Sequence, residues 1–247
     1  MSERHNAGTS LRIDRAVVVG ASGGIGAALC TALVDDGAQV QALSRDAVLA
    51  DPRVRAGRID IEDEASIAKA AASLAGLGPV DLVLIATGLL HTDGIAPEKS
   101  YRELTAASLE RYFAVNATGP ALAAKHFIPL LRKDRPSVIA ALSARVGSIS
   151  DNRLGGWYGY RASKAALNML IKTLAIELAR THPHAACVAL HPGTVATALS
   201  APFRGNVPAE KLFSPDMAAS YLLTVISGLT PAHSGRILAW DGEAISA

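Results

Sequence analysis

The segment Arg15-Ala-Val-Val-Val-Gly20-Ala-Ser-Gly-Gly24-Ile-Gly26 constrains the fold of this chain more than any other. A short β-branched run ends in closely spaced glycines, and apolar residues then recur at helical spacing, at Ile25, Leu29 and Leu33. That order is strand, glycine turn, helix. Gly37 stands where a helix-terminating glycine is expected, and Ala38-Gln-Val-Gln-Ala-Leu43 reads as a second strand, so the chain opens with a βαβ unit.

Further strands are expected at Arg55 to Ile59, Val80 to Ala86, Ser137 to Ser143, Ala185 to Leu190 and Arg236 to Trp240. The intervening segments Ser66 to Leu77, Thr105 to Leu131 and Ala162 to Ala179 carry helical periodicity. Continuous apolar strands alternating with helices imply an α/β fold, a doubly wound parallel sheet of Rossmann-like type with helices on both faces. No Pro- or Gly-rich linker divides the 247 residues, so one domain spanning 1–247 is expected, with residues 1–13 as a flexible N-terminal extension. The long irregular stretch from Thr197 to Pro215 holds Pro202, Gly205, Asn206 and Pro208 beside Leu199, Phe203 and Phe213. Loops of that length in compact domains are usually functional, and the stretch reads as a substrate lid rather than an idle surface excursion.

Composition removes several function classes. With 50% apolar and 19% charged residues the chain can bury a large core, which disfavours disorder. A net charge of +2 without a basic stripe argues against a nucleic-acid partner. The polar start, Met1 to Asn6, lacks an apolar run, so neither secretion nor membrane insertion is expected and a cytoplasmic location is. Cys30 and Cys187 lie among apolar neighbours and read as buried free thiols. His182, His184, Cys187 and His191 do not follow a ligand spacing, and no metal site is expected. The alanine-rich helices around Asn116 and after Tyr160 point to helix packing between subunits, in a homodimer or homotetramer.

Gly20, Gly24 and Gly26, with Ser22 and Ile25 in the same turn, form a candidate pyrophosphate cradle: small residues admit the phosphates, and the helix N-terminus supplies unpaired N–H groups. The alternative is a turn that serves helix–strand packing alone. At the end of the second strand stand Ser44-Arg45, with the acid Asp46 only after them. A guanidinium and a hydroxyl suit the 2′-phosphate of NADP better than the 2′-hydroxyl of NAD, unless Arg45 is simply a solvated loop charge. Asp60-Ile61, after the third strand, fits either an adenine contact or a helix N-cap.

Tyr160 and Lys164 sit one helical turn apart. A phenol titrates near ~10, too high for efficient proton exchange at neutrality, and a nearby ammonium lowers it by stabilising the phenolate. On spacing alone the pair is equally a packed tyrosine beside an exposed lysine.

The order of glycine turn, Asn116, Ser143, Tyr160 and Lys164 resembles the short-chain dehydrogenase/reductase family over Arg15 to Trp240. The stretches Ser143 to Lys164 and His191-Pro-Gly-Thr-Val-Ala-Thr197 are similar in particular to its C-factor-like branch. The resemblance implies an NAD(P)-dependent oxidoreductase acting on a small carbonyl or secondary alcohol. It makes Tyr160 the acid/base, Ser143 the polariser of the substrate oxygen, Lys164 the ribose ligand and activator of Tyr160, and Asn116 the holder of a relay water. Pro192, Gly193, Val195 and Thr197 would flank the nicotinamide and pyrophosphate, and Ala86 and Gly88 would let the backbone approach the cofactor.

Two departures stand out. Ile85-Ala86-Thr87-Gly88 replaces the family's Asn-Asn-Ala-Gly, so the asparagine side-chain bonds are absent. Ser143 is also farther from Tyr160 than in the main branch, and the added residues include Trp157 and Tyr158, which with Phe203 are expected to shape the substrate pocket. Tyr158 competes with Tyr160 by proximity, but the residue four positions on is Ala162. The second reading, from the same branch, is a signalling or dinucleotide-responsive binding protein that keeps the fold.

Overall fold

A computed structural model describes residues 11–47, 51–205 and 207–247. Its centre is an eight-stranded sheet ordered β10-β9-β6-β5-β4-β1-β2-β3. The parallel strands are β1 (Arg15–Val19), β2 (Gln39–Ser44), β3 (Arg55–Arg58), β4 (Leu82–Ile85), β5 (Ser137–Leu142), β6 (Ala185–His191) and β9 (Ile237–Ala239). β10 (Ala244–Ile245) adds antiparallel to β9 at one edge, and the short β7 (Thr194–Val195) and β8 (Leu212–Phe213) pair apart from the main sheet.

Strand alternation supplies both faces of the core. Val17, Val19, Val83, Ile85, Ile139 and Cys187 point to one side, against α2 (Glu64–Leu74), α4 (Gly119–Phe127) and α5 (Tyr158–Leu178). Ala16, Val18, Leu82, Leu84, Val138 and Val188 point to the other, against α1 (Gly24–Asp35) and α6 (Pro215–Ser227). Each fully buried valine contributes about 1.5–3 kcal/mol relative to exposure, so this two-sided run resists a register slip, which would exchange the two sets of side chains. The sheet is thus doubly wound, with helices on both faces. At the amino ends of its strands, buried Asp81 accepts from the backbone N–H groups of Asp14 and Arg15 and pairs with Arg132 and Arg135.

The expected single helix from Thr105 to Leu131 is interrupted. α3 (Ala106–Phe113) leads into a π-helical turn, Ala114–Thr118, before α4 begins. Pro120 has no N–H to offer the carbonyl of Asn116, and Gly119 packs so closely on the Ile61 backbone that a side chain there would collide. Within the stretch 1–13 expected as an extension, Leu11 is buried and Ile13 packs on the same core cluster, while residues 1–10 lie outside the described residues.

Candidate active site

From β1 the chain runs outward one way through β2 and β3, and β4, β5 and β6 follow on the other side. Such a reversal leaves a crevice at the carboxyl ends of the strands, where ligands of open α/β sheets bind. A cavity of about 470 Å³ opens there.

The glycine turn forms one end of it. Gly20 has φ +89°, and a Cβ on it would stand 2.9 Å from the Ala86 backbone. Gly26 is backed directly on the Gly20 carbonyl. The first turn of α1 has no side-chain cap, and Gly23, Gly24, Ile25 and Gly26 line the cavity. Thr197 closes over this turn, since a Cβ on Gly24 would meet its methyl at 2.7 Å. Ala86, Gly88, Pro192, Gly193 and Val195 line the same space.

Tyr160 and Lys164 are buried one turn apart on α5, and both line the cavity with Ser143. Lys164 Nζ donates to the Leu142 carbonyl at 2.8 Å and lies 5.9 Å from the Tyr160 ring centre. Gly147 makes this fit possible: a Cβ there would meet Lys164 Cβ at 2.8 Å. Asn116 sits in the π-helical turn, fully buried, where Oδ1 accepts from Leu89 N and Nδ2 donates to Leu89 O, both at 2.8 Å. Nδ2 also reaches Ser163 Oγ at 3.1 Å, so Asn116 ties the segment after β4 to α5.

Electrostatics differ from the sequence-based expectation. Burial, helped by neighbouring Tyr112, holds the Tyr160 phenol well above its usual value rather than below it. Burial also pushes the Lys164 ammonium down, to about 8. Desolvation disfavours the charged form of each group, and Lys164 spends its hydrogen bond on Leu142 rather than on the phenol. His191, at the end of β6, is pushed down to about 4 by burial first and by Arg145 second, with Asp241 opposing.

Trp157 and Phe203 form an aromatic wall, 5.1 Å between ring centres, and Trp157 packs edge-on to Tyr160 at 6.2 Å. Tyr158 does not share it: the residue is half-exposed at the start of α5 and absent from the cavity lining. Phe213, in the stretch expected as a lid, packs against Trp240 at 4.7 Å and Tyr221 at 5.3 Å beneath Gly193. The stretch from Thr197 is less irregular than its composition implies, because Ala201–Phe203 and Ala209–Lys211 are 3-10 turns and β8 pairs with β7. Asn206 lies outside the described residues.

Gly20, Ser22, Ser44, Arg45, Asp60 and Ile61 do not line the cavity. Ser44 is buried and Arg45 exposed at the carboxyl end of β2. Asp60 accepts from Glu62 N, and the cap of α2 is Asp63, which accepts from Ala65 N. Ile61 belongs to the core.

The sequence reading missed Asn168, which accepts from the Ser143 hydroxyl at 2.7 Å and donates to Gly147 O at 3.3 Å. It lies four residues beyond Lys164, a spacing that could have revealed it. It also missed cavity-lining Thr87, Arg145 and His191.

The buried side-chain atoms without a hydrogen-bond partner among the described residues include Ser44 Oγ, Thr87 Oγ1 and His191 Nδ1. These three side chains stand at or just beyond the carboxyl ends of β2, β4 and β6. Buried polar atoms normally find partners, so a row of them along one sheet edge, beside a glycine turn without room for side chains, fits an elongated polar ligand such as a dinucleotide.

Comparison with known proteins agrees with this geometry. The sequence profile of the short chain dehydrogenase family matches residues 14–207. The chain is 34% identical to the C-signal of Myxococcus xanthus over 169 residues, 68% of this chain and 93% of that protein. It is 32% identical to the 1-hydroxy-2-glutathionyl-2-methyl-3-butene dehydrogenase of Rhodococcus sp. (strain AD45) over 231 residues, 92% of this chain and 96% of that enzyme. An NADPH-bound carbonyl reductase from chicken fatty liver superposes with a TM-score of 0.81 at 26% identity, covering 96% of this chain and 100% of that one. The chain belongs to the short-chain dehydrogenase family, and it is an oxidoreductase of that family.

Proposed function

We propose that the protein transfers hydride between NADP(H) and a carbonyl or secondary alcohol, with Tyr160 as acid/base at the substrate oxygen. The observation that carries this reading is that Tyr160, Lys164 and Ser143 line the same cavity as the uncapped first turn of α1. Bound there, the nicotinamide supplies or accepts the hydride. The glycine turn and α1 would hold its pyrophosphate, and Lys164 a ribose hydroxyl. Arg45 and buried Ser44 favour a 2′-phosphate. The likeness to an NADPH-bound reductase supports the same choice.

A phenol held above its usual pKa is protonated at neutral pH, the form that can donate to a carbonyl oxygen, but burial also makes it a weaker acid, so the bound cofactor and Lys164 would have to bring it down for transfer. Ser143 would donate to the same oxygen once its hydroxyl turns from Asn168 Oδ1, which accepts its proton in this structure. Asn116 fixes the segment after β4 against α5. Trp157 and Phe203 favour an apolar substrate body, the lid from Thr197 excludes water, and Arg145 at the rim pairs with Asp151 at 3.1 Å.

Exposed Met169 and Ile176 on α5 support self-association as a dimer or tetramer, and two buried free cysteines support a cytoplasmic location. None of the helices among the described residues is long and apolar enough to cross a membrane. The likeness to C-signal favours a second reading, a signalling role beside catalysis.

Turnover of apolar ketones and secondary alcohols with NADPH, NADP, NADH and NAD tests the proposal. Reduction of some ketone, faster with NADPH than with NADH, is expected. Cofactor binding without turnover of any of them would overturn the proposed substrate class.

A further inference from the structure

Glu98 is 3% exposed, in the segment between β4 and α3, and the hydride chemistry described above does not use it. Its carboxylate joins two helices: Oε2 accepts from Gly159 N at 3.1 Å on α5, and Oε1 accepts from the Ser108 hydroxyl at 3.1 Å on α3. Its backbone carbonyl accepts from Trp157 N at 2.5 Å. Glu98 therefore grips α5 at its N-cap and again two residues on. Trp157, the N-cap, makes no side-chain cap of its own, and a carboxylate suits both the unpaired N–H groups and the positive end of a helix.

The first turn of α5 needs such a hold. Trp157 has φ +53° and ψ 43°, a left-handed conformation for a residue with a large side chain, and it follows Gly155 and Gly156, both at φ +64°. Strained residues of this kind persist where the surroundings over-determine them, and they collect at functional sites. Gly159 is equally constrained, because a Cβ there would collide with the Tyr112 ring and stand 3.0 Å from Glu98 Oε1. Tyr112 in turn donates to Leu90 O at 2.7 Å and packs edge-on to Tyr160 at 6.3 Å. Glu98, Tyr112, Gly159 and Trp157 thus form one packed base beneath Tyr160.

We propose that Glu98 is a positioning residue for this reaction: by pinning the strained start of α5 it sets where Trp157 and Tyr160 meet the substrate. The proposal rests on Tyr160 being the acid/base.

Glu98→Ala should lower kcat for ketone reduction by about a hundredfold while NADPH affinity stays within about twofold, as expected for a displaced catalytic group in an intact cofactor site. Glu98→Gln keeps an oxygen for Gly159 N–H, and Ser108 can turn to accept from its amide, so most of the rate should return. In a Trp240→Phe background, the emission of Trp157 should shift in Glu98→Ala and revert in Glu98→Gln. If Glu98→Ala does not fold, Glu98→Asp, too short to span both partners, carries the same expectations. A kcat within about twofold of the parent, a loss that Gln does not restore, or an equal loss of NADPH affinity overturns the proposal. A fully active Tyr160→Phe enzyme would overturn the acid/base reading instead. An inactive Tyr160→Phe beside a fully active Glu98→Ala overturns the positioning role alone.

Discussion

Ser143 and Asn168 are joined by a 2.7 Å hydrogen bond that runs from the end of β5 to α5, the helix carrying Tyr160 and Lys164. The orientation of the serine hydroxyl is therefore set by the helix that sets the phenol. Asn168→Ala removes that guide and leaves both Ser143 and the Gly147 carbonyl without their partner. Its kcat for ketone reduction should fall by roughly tenfold to a hundredfold, with NADPH affinity nearly unchanged. Steady-state rates beside a cofactor titration check this, and a parallel loss of both would show a wider structural defect.

Arg45 is exposed at the end of β2 and has no ion-pair partner among the described residues. If it holds a 2′-phosphate, Arg45→Ala removes a charge-assisted contact of about 1.5–3 kcal/mol, or roughly ten- to a hundredfold in affinity. NADPH binding should weaken by that factor and NADH binding hardly at all. Equal weakening of the two would leave the NADP preference without its basis.

His191 is held neutral in the fold, its pKa pushed from 6.5 down to about 4. Between those values the unfolded chain takes up a proton that the folded chain refuses, so stability falls as the pH drops from 6.5 toward 4. The full effect is up to about 3 kcal/mol. His182, also lowered by burial, acts in the same direction. Denaturant midpoints followed across this range should therefore be flatter for His191→Gln than for the parent. Identical slopes would contradict a neutral, half-buried imidazole at that position.

The sheet was legible because β1, β4, β5 and β6 are apolar on both faces, and a strand buried on both sides shows itself as an unbroken run such as Val17-Val18-Val19. Gly20, Gly24 and Gly26 were legible because a strand before them and a helix after them give the spacing meaning. Tyr160 and Lys164 could be placed one turn apart, but their pKa directions could not, since desolvation depends on neighbours such as Tyr112 that lie far off in sequence. The contacts of Phe213 were not legible for a related reason: composition marks a loop, whereas pairing of β8 with β7 turns that ring toward Trp240. The break at Asn116 was readable after all, because Pro120 stands at the one position whose missing N–H frees the Asn116 carbonyl.

Single-turnover hydride transfer in Tyr160→Phe tests the assignment of Tyr160 most directly. The variant keeps the ring that packs against Trp157 and Tyr112 and loses only the hydroxyl. NADPH should bind as tightly as before, while the rate of ketone reduction falls by about a hundredfold to ten thousandfold, the usual contribution of a positioned proton donor. A Tyr160→Phe enzyme that reduces the ketone at the parent rate would contradict the assignment of Tyr160 as the acid.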